Sequence, residues 1–140
     1  ETRLNTILEN VGAYIFIKDA QYRYTYVNRK VSELFGIPVE DILGRSDEAF
    51  ISKASVEEIM RSDRPVIERG ETVAREETEL AASNDPPRTY WTVKLPLRDG
   101  SGAITGLCGI STDITERKTA ERALEESQRF LETVIESAPT

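Results

Sequence analysis

The side chains that carry most nucleophilic and metal-dependent chemistry are nearly missing from this chain. Its 140 residues include no histidine and one cysteine, Cys108. The lack of histidine excludes Ser-His and Cys-His catalysis, a His-ligated zinc or haem, and a phosphoacceptor histidine within these residues. One cysteine excludes an internal disulfide framework and fits a reducing, cytoplasmic compartment. We therefore expect this segment to have no catalytic activity and to hold no metal.

The spacing of apolar side chains near the C-terminal end is suited to pairing rather than to catalysis. Steps of four and three residues alternate along the tail, through Ala120, Leu124, Ser127, Leu131, Val134 and Ala138. This is a heptad seam flanked by Glu and Arg. It predicts a coiled-coil homodimer with Ala120, Leu124, Leu131 and Val134 in the seam. The alternative is an amphipathic helix that folds against its own domain.

The overall charge describes an acidic segment. The formal net charge is −7, the sequence pI is about 4.8, and Lys and Arg form no long basic run. We therefore predict that nucleic acid is not a partner. No stretch approaches the roughly 20 apolar residues that span a bilayer, so we expect no direct membrane insertion by this segment. The chain begins without methionine or a signal-peptide pattern, which predicts a fragment of a larger protein.

The elements that position these groups predict one α+β domain. A short N-terminal helix over 4–10 precedes two strands at 13–18 and 22–27. Three helices follow at 28–35, 38–43 and 55–69. The last three elements are strands at 72–81, 89–97 and 104–112. Pro65 is expected to kink or interrupt the third of these helices. Asp99-Gly100-Ser101-Gly102 predicts a hairpin turn. This order is typical of an antiparallel sheet with helices on one face.

Three stretches and the order of elements resemble the PAS family. The stretches are Tyr22-Arg23-Tyr24-Thr25-Tyr26-Val27-Asn28, Gly44-Arg45-Ser46-Asp47, and Pro96-Leu97-Arg98-Asp99 through Gly109-Ile110-Ser111-Thr112 to Asp113-Ile114-Thr115-Glu116-Arg117-Lys118. The last is the most specific, because it matches the Asp-x-Thr signature where the final PAS strand passes into the output helix. The resemblance covers about residues 4–118. It implies a PAS fold with a five-stranded antiparallel sheet and a long C-terminal signalling helix.

Asp113 and Thr115 stand at the joint between strand and helix. A helix that starts there leaves free backbone N–H groups, which either side chain can cap. We interpret the two residues as the signal relay, because a capped joint transmits a rotation or tilt better than a frayed one. The alternative is an ordinary helix cap without a signalling role.

The marks of known PAS cofactors are missing. The flavin-binding, light-sensing subclass carries a reactive cysteine in a motif beginning Gly-Arg-Asn-Cys, and Asp47 stands at that cysteine's position here. A flavin–cysteine adduct is therefore excluded there, and haem bound through histidine is excluded as well. Cys108 lies on the last strand and is expected to point away from the pocket. The cofactor remains unknown.

The resemblance also implies an inward-facing set of side chains, namely Phe16, Lys18, Tyr90, Thr92, Lys94, Leu107, Gly109 and Ser111. Two inward lysines are unusual, and Asp47 and Asp63 from the helical side could neutralise them. Either internal ion pairs close the cavity, or the lysines and Tyr90 hold a carboxylate or another polar metabolite. The predicted ligand-binding residues are Phe16, Lys18, Asp47, Asp63, Tyr90, Thr92, Lys94 and Ser111.

The opposite face of the sheet is predicted to be apolar, with Trp91, Val93, Leu95, Cys108 and Ile110. Such a face is expected to be covered by the N-terminal helix, by the tail helix or by a second subunit.

The function implied by the resemblance is that of a sensory module in a bacterial signal-transduction protein. It would bind a small ligand or a partner and relay the signal through its C-terminal helix to a downstream output domain. The implied outputs are a diguanylate cyclase or phosphodiesterase of cyclic-di-GMP, or a histidine kinase. The alternative is a ligand-free dimerisation or scaffold domain. The expected division is an N-terminal helix at 1–12, a core at 13–114 and a linker helix at 115–140. Because residues 131–139 resemble residues 4–12, a second PAS domain is expected to begin inside that linker.

Overall fold

The structure is a computed structural model that describes residues 3, 4, 6, 7, 12–79 and 87–137. Its elements are β1 (Ala13–Asp19), β2 (Tyr24–Val27), α1 (Arg29–Phe35), α2 (Val39–Ile42), a 3-10 helix (Asp47–Ala49), α3 (Lys53–Arg69), β3 (Val73–Glu79), β4 (Arg88–Arg98), β5 (Ile104–Asp113) and α4 (Thr115–Ser137). The 3-10 helix was not predicted. The other elements keep the predicted order, with boundaries that differ by a few residues.

The five strands form one antiparallel sheet in the order β2-β1-β5-β4-β3. The first and last strands of the chain therefore meet in the middle, where Phe16 lies opposite Gly109. The predicted turn joins β4 to β5, with the Asp99 N–H donating to the Ala103 carbonyl at 3.0 Å and Gly102 at a φ of 88°. The α+β fold class and the five-stranded sheet are confirmed.

Helix α1 is fastened to the sheet by the buried side chain of Asn28. Its Oδ1 accepts hydrogen bonds from the N–H groups of Val31, at 3.3 Å, and Ile15, at 3.2 Å. Its Nδ2 donates to the Ala13 carbonyl at 2.7 Å. The Asn28 amide thus caps α1 and also binds two residues of β1, Ala13 and Ile15. These bonds place α1 over the start of β1.

Helix α3 is the longest helix of the core and continues through Pro65. The Ser52 side chain caps its start, and Gly70, at a φ of 68°, ends it. The expected interruption at Pro65 is absent from this helix. Proline lacks the N–H that would bind back to residue 61, and this loss falls in the last turns, where the helix is close to its end. Ser62, Asp63 and Val66 lie on the buried face of α3.

The hydrophobic core lies between the sheet and the helices. Tyr24, Val27, Val31 and Ile42 form a buried cluster against which partly buried aromatic side chains pack. Leu107 of β5 and Val66 of α3 are fully buried as well. The helices α1, α2 and α3 therefore cover one face of the sheet.

Helix α4 leaves the sheet and has no buried side chain over residues 115–137. At the other end of the chain, Arg3, Leu4, Thr6 and Ile7 are helical, and the rest of the predicted N-terminal helix lies outside the described residues. Within the part of the chain that the structure describes, no helix has the length and apolar character needed to cross a membrane.

Candidate functional site

A cavity of about 660 Å³ lies between the sheet and the helices. All five strands contribute to one wall, and α1 and α3 supply most of the other. Five aromatic side chains face it: Tyr14, Phe16, Tyr24, Phe35 and Tyr90. This volume falls within the range of small-molecule sites in proteins.

Two lysines and two aspartates form a continuous buried network beside the cavity, which we call the Lys–Asp cluster (Lys18, Asp47, Asp63, Lys94). Lys18 Nζ contacts Asp47 Oδ2 and lies 2.7 Å from Asp63 Oδ2. Lys94 Nζ lies 2.7 Å from Asp63 Oδ1. Asp63 therefore bridges both lysines with its two oxygens, and the four side chains are almost completely buried.

Two neutral hydroxyl groups extend the Lys–Asp cluster at its ends. The Tyr24 hydroxyl donates to Asp47 Oδ1, and Lys94 Nζ donates to Ser62 Oγ at 2.7 Å. Burial and the neighbouring Asp47 carboxylate raise the pKa of Tyr24, so its phenol stays protonated and keeps donating. The ammonium of Lys18 also lies 4.9 Å from the centre of the Tyr24 ring. The ends of the cluster are therefore satisfied within the domain.

Strand alternation explains why these lysines face inward. Lys18 is two residues from Phe16 on β1, and Lys94 is two residues from Thr92 on β4, so each pair shares one face of the sheet. Asp63 comes from the middle of α3 and Asp47 from the 3-10 helix. The ion pairs named from the sequence are thus formed between the sheet and the helical layer.

The floor of the cavity carries a pair of hydroxyl groups on neighbouring strands. Thr92 of β4 lies opposite Ser111 of β5, and their side-chain oxygens are 2.8 Å apart. The Phe16 ring packs against Gly109 so closely that a Cβ at position 109 would overlap its nearest ring atom. The glycine thereby makes room for an aromatic side chain on the cavity floor.

Six of the eight predicted ligand-binding residues line the cavity: Phe16, Lys18, Tyr90, Thr92, Lys94 and Ser111. Asp47 and Asp63 do not line it and instead pair with the lysines. The structure thus brings all eight into one region, with the two carboxylates behind the wall.

Sequence reasoning missed a charged group on the wall formed by β3 and α3. Arg75 Nε lies 3.0 Å from Glu77 Oε1, and its Nη2 lies 3.8 Å from Glu58 Oε1. Arg75 pairs in register with Thr92, and Glu77 with Tyr90. Residues directly opposite each other on antiparallel strands share a face of the sheet. Pairing the predicted strand 72–81 with the predicted strand 89–97 would therefore have placed Arg75 and Glu77 on the cavity side.

The joint between β5 and α4 is held by several hydrogen bonds. Asp113 Oδ1 accepts from the Thr115 N–H at 3.0 Å and from its hydroxyl at 2.6 Å, and Asp113 Oδ2 lies 2.6 Å from Arg88 Nε. The Thr115 hydroxyl also accepts from the Thr89 N–H at 2.8 Å. Burial alone would raise the pKa of Asp113, but the bonds from Thr115 and Arg88 lower it. The start of α4 is thereby tied to the start of β4.

A second tie joins α4 to the edge strand β3. Lys118 Nζ lies 2.6 Å from Glu76 Oε1, and this hydrogen bond and charge raise the pKa of Lys118. Glu76 is next to Arg75 and Glu77 on the strand that borders the cavity. The first turn of α4 therefore contacts two different strands of the sheet.

The outer face of the sheet is partly exposed. Trp91 is 41%, Leu95 40% and Ile110 36% exposed, and Cys108 is half-buried. Burial raises the pKa of the Cys108 thiol, which lowers the fraction present as the reactive thiolate. In α4 the predicted seam residues Leu124, Leu131 and Val134 are 59%, 55% and 47% exposed. Both surfaces are apolar and only partly covered within the described residues.

An antiparallel sheet that holds a cavity under short helices, and passes directly into a long exposed helix, defines the class of sensory domains in signalling proteins. Within that class, the chain belongs to the PAS fold family, whose family model matches residues 8–119. The predicted family and fold are confirmed.

Two relatives are signalling enzymes of much greater length. The chain is 36% identical over 131 residues to the methanogenesis regulatory histidine kinase FilI of Methanothrix harundinacea, covering 94% of this chain and 15% of that protein. It is 35% identical over 111 residues to a diguanylate cyclase of Vibrio cholerae, covering 79% of this chain and 35% of that protein. The chain therefore spans well under half the length of each of these relatives.

A solved structure of VqmA from Vibrio cholerae is also similar, with a TM-score of 0.71 and 27% identity, covering 84% of this chain and 52% of that one. That structure is of a VqmA dimer in the absence of its target DNA, a second is of a complex of VqmA with ligand and DNA, and a third shows VqmA bound to DPO. The prediction that nucleic acid is not a partner is therefore wrong. It relied on the net charge of this segment, and such a charge reports the field of one domain only.

Proposed function

We propose that this PAS domain binds a small molecule in the cavity between the sheet and the helices. The single observation that carries the proposal is an aromatic-lined cavity of about 660 Å³. Part of its floor is β5, the strand that leads directly into α4. VqmA, which has a similar fold, has been solved with a bound small compound, DPO. The ligand-binding residues that we propose remain Phe16, Lys18, Tyr90, Thr92, Lys94 and Ser111, with Asp47 and Asp63 holding the lysines in place.

The signal would pass from the floor of the cavity to α4 through the joint. Ser111 lines the cavity and is two residues from Asp113, which binds Thr115 at the first position of α4. A ligand that moves β5 would therefore move the start of the helix, because the joint is held by charge-assisted hydrogen bonds. Asp113 and Thr115 are our proposed relay residues.

The output would be a separate domain of a longer protein. FilI and the diguanylate cyclase support a histidine kinase or a cyclic-di-GMP enzyme, and VqmA adds DNA binding to these outputs. We propose a cytoplasmic location and a division into an N-terminal helix at 1–12, a core at 13–114 and a linker at 115–140, which ends at the start of a second PAS domain. The exposed heptads of α4 support a parallel pair of linkers.

Native mass spectrometry of the purified chain tests ligand binding directly. We expect a small molecule to remain bound to the wild-type chain and to be lost from Ser111→Leu, whose larger side chain would fill the cavity. Thr105→Leu is the matched control, because Thr105 is exposed on the same strand and lies outside the cavity. A wild-type chain that carries nothing, even after incubation with a cell extract of small molecules, would favour the ligand-free scaffold instead.

A further inference from the structure

The lysines of the cavity are already neutralised by the protein. Lys18 contacts both aspartates of the Lys–Asp cluster, and Lys94 contacts Asp63 and Ser62. The two ammonium groups thus face two carboxylates at full burial. An anionic ligand that took a lysine would leave one of these buried carboxylates unpaired, which is strongly unfavourable. The lysines therefore do not attract an anion, although their presence in the sequence suggests that they would.

The other charged side chains around the cavity are paired as well. Arg75 lies between Glu77 and Glu58, and Glu58 Oε2 is also 2.8 Å from Arg61 Nη1. Together with the Lys–Asp cluster, four cations face four carboxylates, so the charges around the cavity balance. An entering anion would therefore find no excess positive charge to bind it. A cation would gain little at the rim, because the Glu58 side chain is 59% exposed to water.

The aromatic wall favours a flat, apolar body in the ligand. Tyr14 and Tyr90 pack edge to face with ring centres 5.8 Å apart, and Phe16 and Tyr24 do so at 6.0 Å. The rings of Tyr24 and Phe35 have the same arrangement at 6.2 Å. Aromatic side chains in such arrays bind a further ring through offset stacking or edge contacts, in addition to the burial of apolar area.

The hydroxyl pair on the floor supplies the polar contact. A hydroxyl group has one hydrogen to donate and two lone pairs. The Thr92 hydroxyl donates to Glu77 Oε2 at 3.5 Å, so the Ser111 hydroxyl supplies the hydrogen of the 2.8 Å bond between the pair. The lone pairs that remain can accept from a neutral donor such as an amide N–H. The hydroxyl pair thus offers acceptors without imposing a charge on the ligand.

We propose that the cavity selects an uncharged aromatic small molecule with one neutral polar group, held over the Thr92–Ser111 pair, and that it rejects carboxylates. The inference rests on the proposed function of the cavity as a ligand site. It favours the internal ion pairs over a bound carboxylate: Lys18 and Lys94 remain part of the cavity wall, and the selection of the ligand passes to the rings and hydroxyl groups.

Four probes of similar size separate the charge of the ligand from its aromaticity: benzamide, benzoate, benzylamine and cyclohexanecarboxamide. Each is titrated into the whole chain at neutral pH, and binding is followed by backbone amide NMR signals. We expect benzamide to shift the signals of Thr92 and Ser111 and to bind at least about tenfold more tightly than benzoate. The advantage of benzamide over cyclohexanecarboxamide should be about threefold to tenfold.

Two variants that preserve the Lys–Asp cluster sharpen the test. Glu77→Gln removes one negative charge from the wall, so the affinity for benzoate should rise severalfold relative to that for benzamide. Ser111→Ala should weaken benzamide by about fivefold through the lost hydrogen bond. Thr105→Ala, which removes a hydroxyl group from the exposed part of the same strand, should leave benzamide binding as it was.

The inference is overturned if benzoate or benzylamine shifts the same signals at equal or lower concentration than benzamide. It is also overturned if none of the four probes shifts the signals of the cavity at millimolar concentration. Binding of benzoate in the cavity would leave the proposed function standing while removing the ligand class. The proposed function fails on a different result, namely a chain that retains no small molecule from the extract.

Discussion

The Lys–Asp cluster and helix α4 satisfy their side chains in opposite ways. The four charged side chains of the cluster are buried, and each finds its partner inside the domain. In α4, no side chain is buried over residues 115–137, and the apolar seam residues face water. The charged side chains of the cluster are therefore paired within one chain, whereas the apolar seam residues of α4 have no buried contact among the described residues. A charged group can thus be more completely satisfied inside a domain than an apolar one on its surface.

The largest effect is expected from breaking the cluster at Asp63. Asp63→Ala leaves Lys18 with Asp47 alone and Lys94 without a carboxylate. One buried positive charge is then uncompensated, and the free energy of unfolding should fall by about 3–5 kcal/mol. Urea denaturation followed by circular dichroism measures this loss. Glu57→Ala is the control, because Glu57 is exposed on the same helix. A loss no larger than that of the control would mean that the cluster contributes little to the fold.

A second change tests the exposed helix. Leu124→Asp combined with Leu131→Asp places charges in the proposed seam, and the chain should become a folded monomer because charges are not tolerated between paired helices. Sedimentation equilibrium reports the mass. Arg122→Asp with Arg129→Asp introduces the same side chains on the opposite side of the helix and should leave the dimer intact. An unchanged mass for the leucine variant would reject the seam.

The smallest effect is expected at the joint between the two regions. The pKa of Asp113 is lower in the folded state than in the unfolded chain. The ionised Asp113 therefore stabilises the fold above the ordinary carboxyl pKa of about 4, and this stabilisation is lost as the pH falls through the lowered pKa of the folded state. The difference in stability between the wild type and Asp113→Ala should therefore shrink on acidification. Thermal unfolding of both chains between neutral and acidic pH measures it.

In a longer protein of the kind proposed above, Asp113→Ala should also uncouple the output from the ligand while leaving the core folded. Asp99→Ala is the matched control, since Asp99 also has a lowered pKa through bonds from Ser101 but lies in the β4–β5 turn. A normal response from the Asp113 variant would leave the joint with the role of a helix cap only.

Local rules account for much of the fold. Alternation on β1 and β4 placed Phe16 with Lys18 and Thr92 with Lys94, because side chains two residues apart on a strand share a face. Helices α1 and α3 end at Gly36 and Gly70, which both adopt a positive φ. The turn after β4 forms because the Asp99 side chain accepts a hydrogen bond from the Ser101 N–H. These features depend on residues that are close in sequence, so a single sequence predicts them.

Contacts between layers could not be predicted in the same way. The bond from Tyr24 to Asp47 joins β2 to a 3-10 helix, and the group formed by Arg75, Glu77 and Glu58 joins β3 to α3. Which helical residue meets which strand residue depends on how the layers dock. The bridging role of Asp63 could be proposed as one pairing among four, but its use of both oxygens needed the structure. The interruption expected at Pro65 was wrong, because a proline four residues before the end of α3 removes a hydrogen bond without ending the helix.

The pair formed by Lys118 and Glu76 has a mechanical consequence. A rod fixed at one point can swivel freely, whereas a rod braced at two points moves only as both supports allow. Helix α4 is held at its first residue, Thr115, by Asp113 at the end of β5, and three residues later, at Lys118, by Glu76 of the edge strand β3. A displacement of β3 relative to β5 would therefore tilt the rod rather than spin it. The ion pair between Lys118 and Glu76 is partly exposed. Added salt would therefore weaken it and let α4 rotate about its remaining attachment to β5.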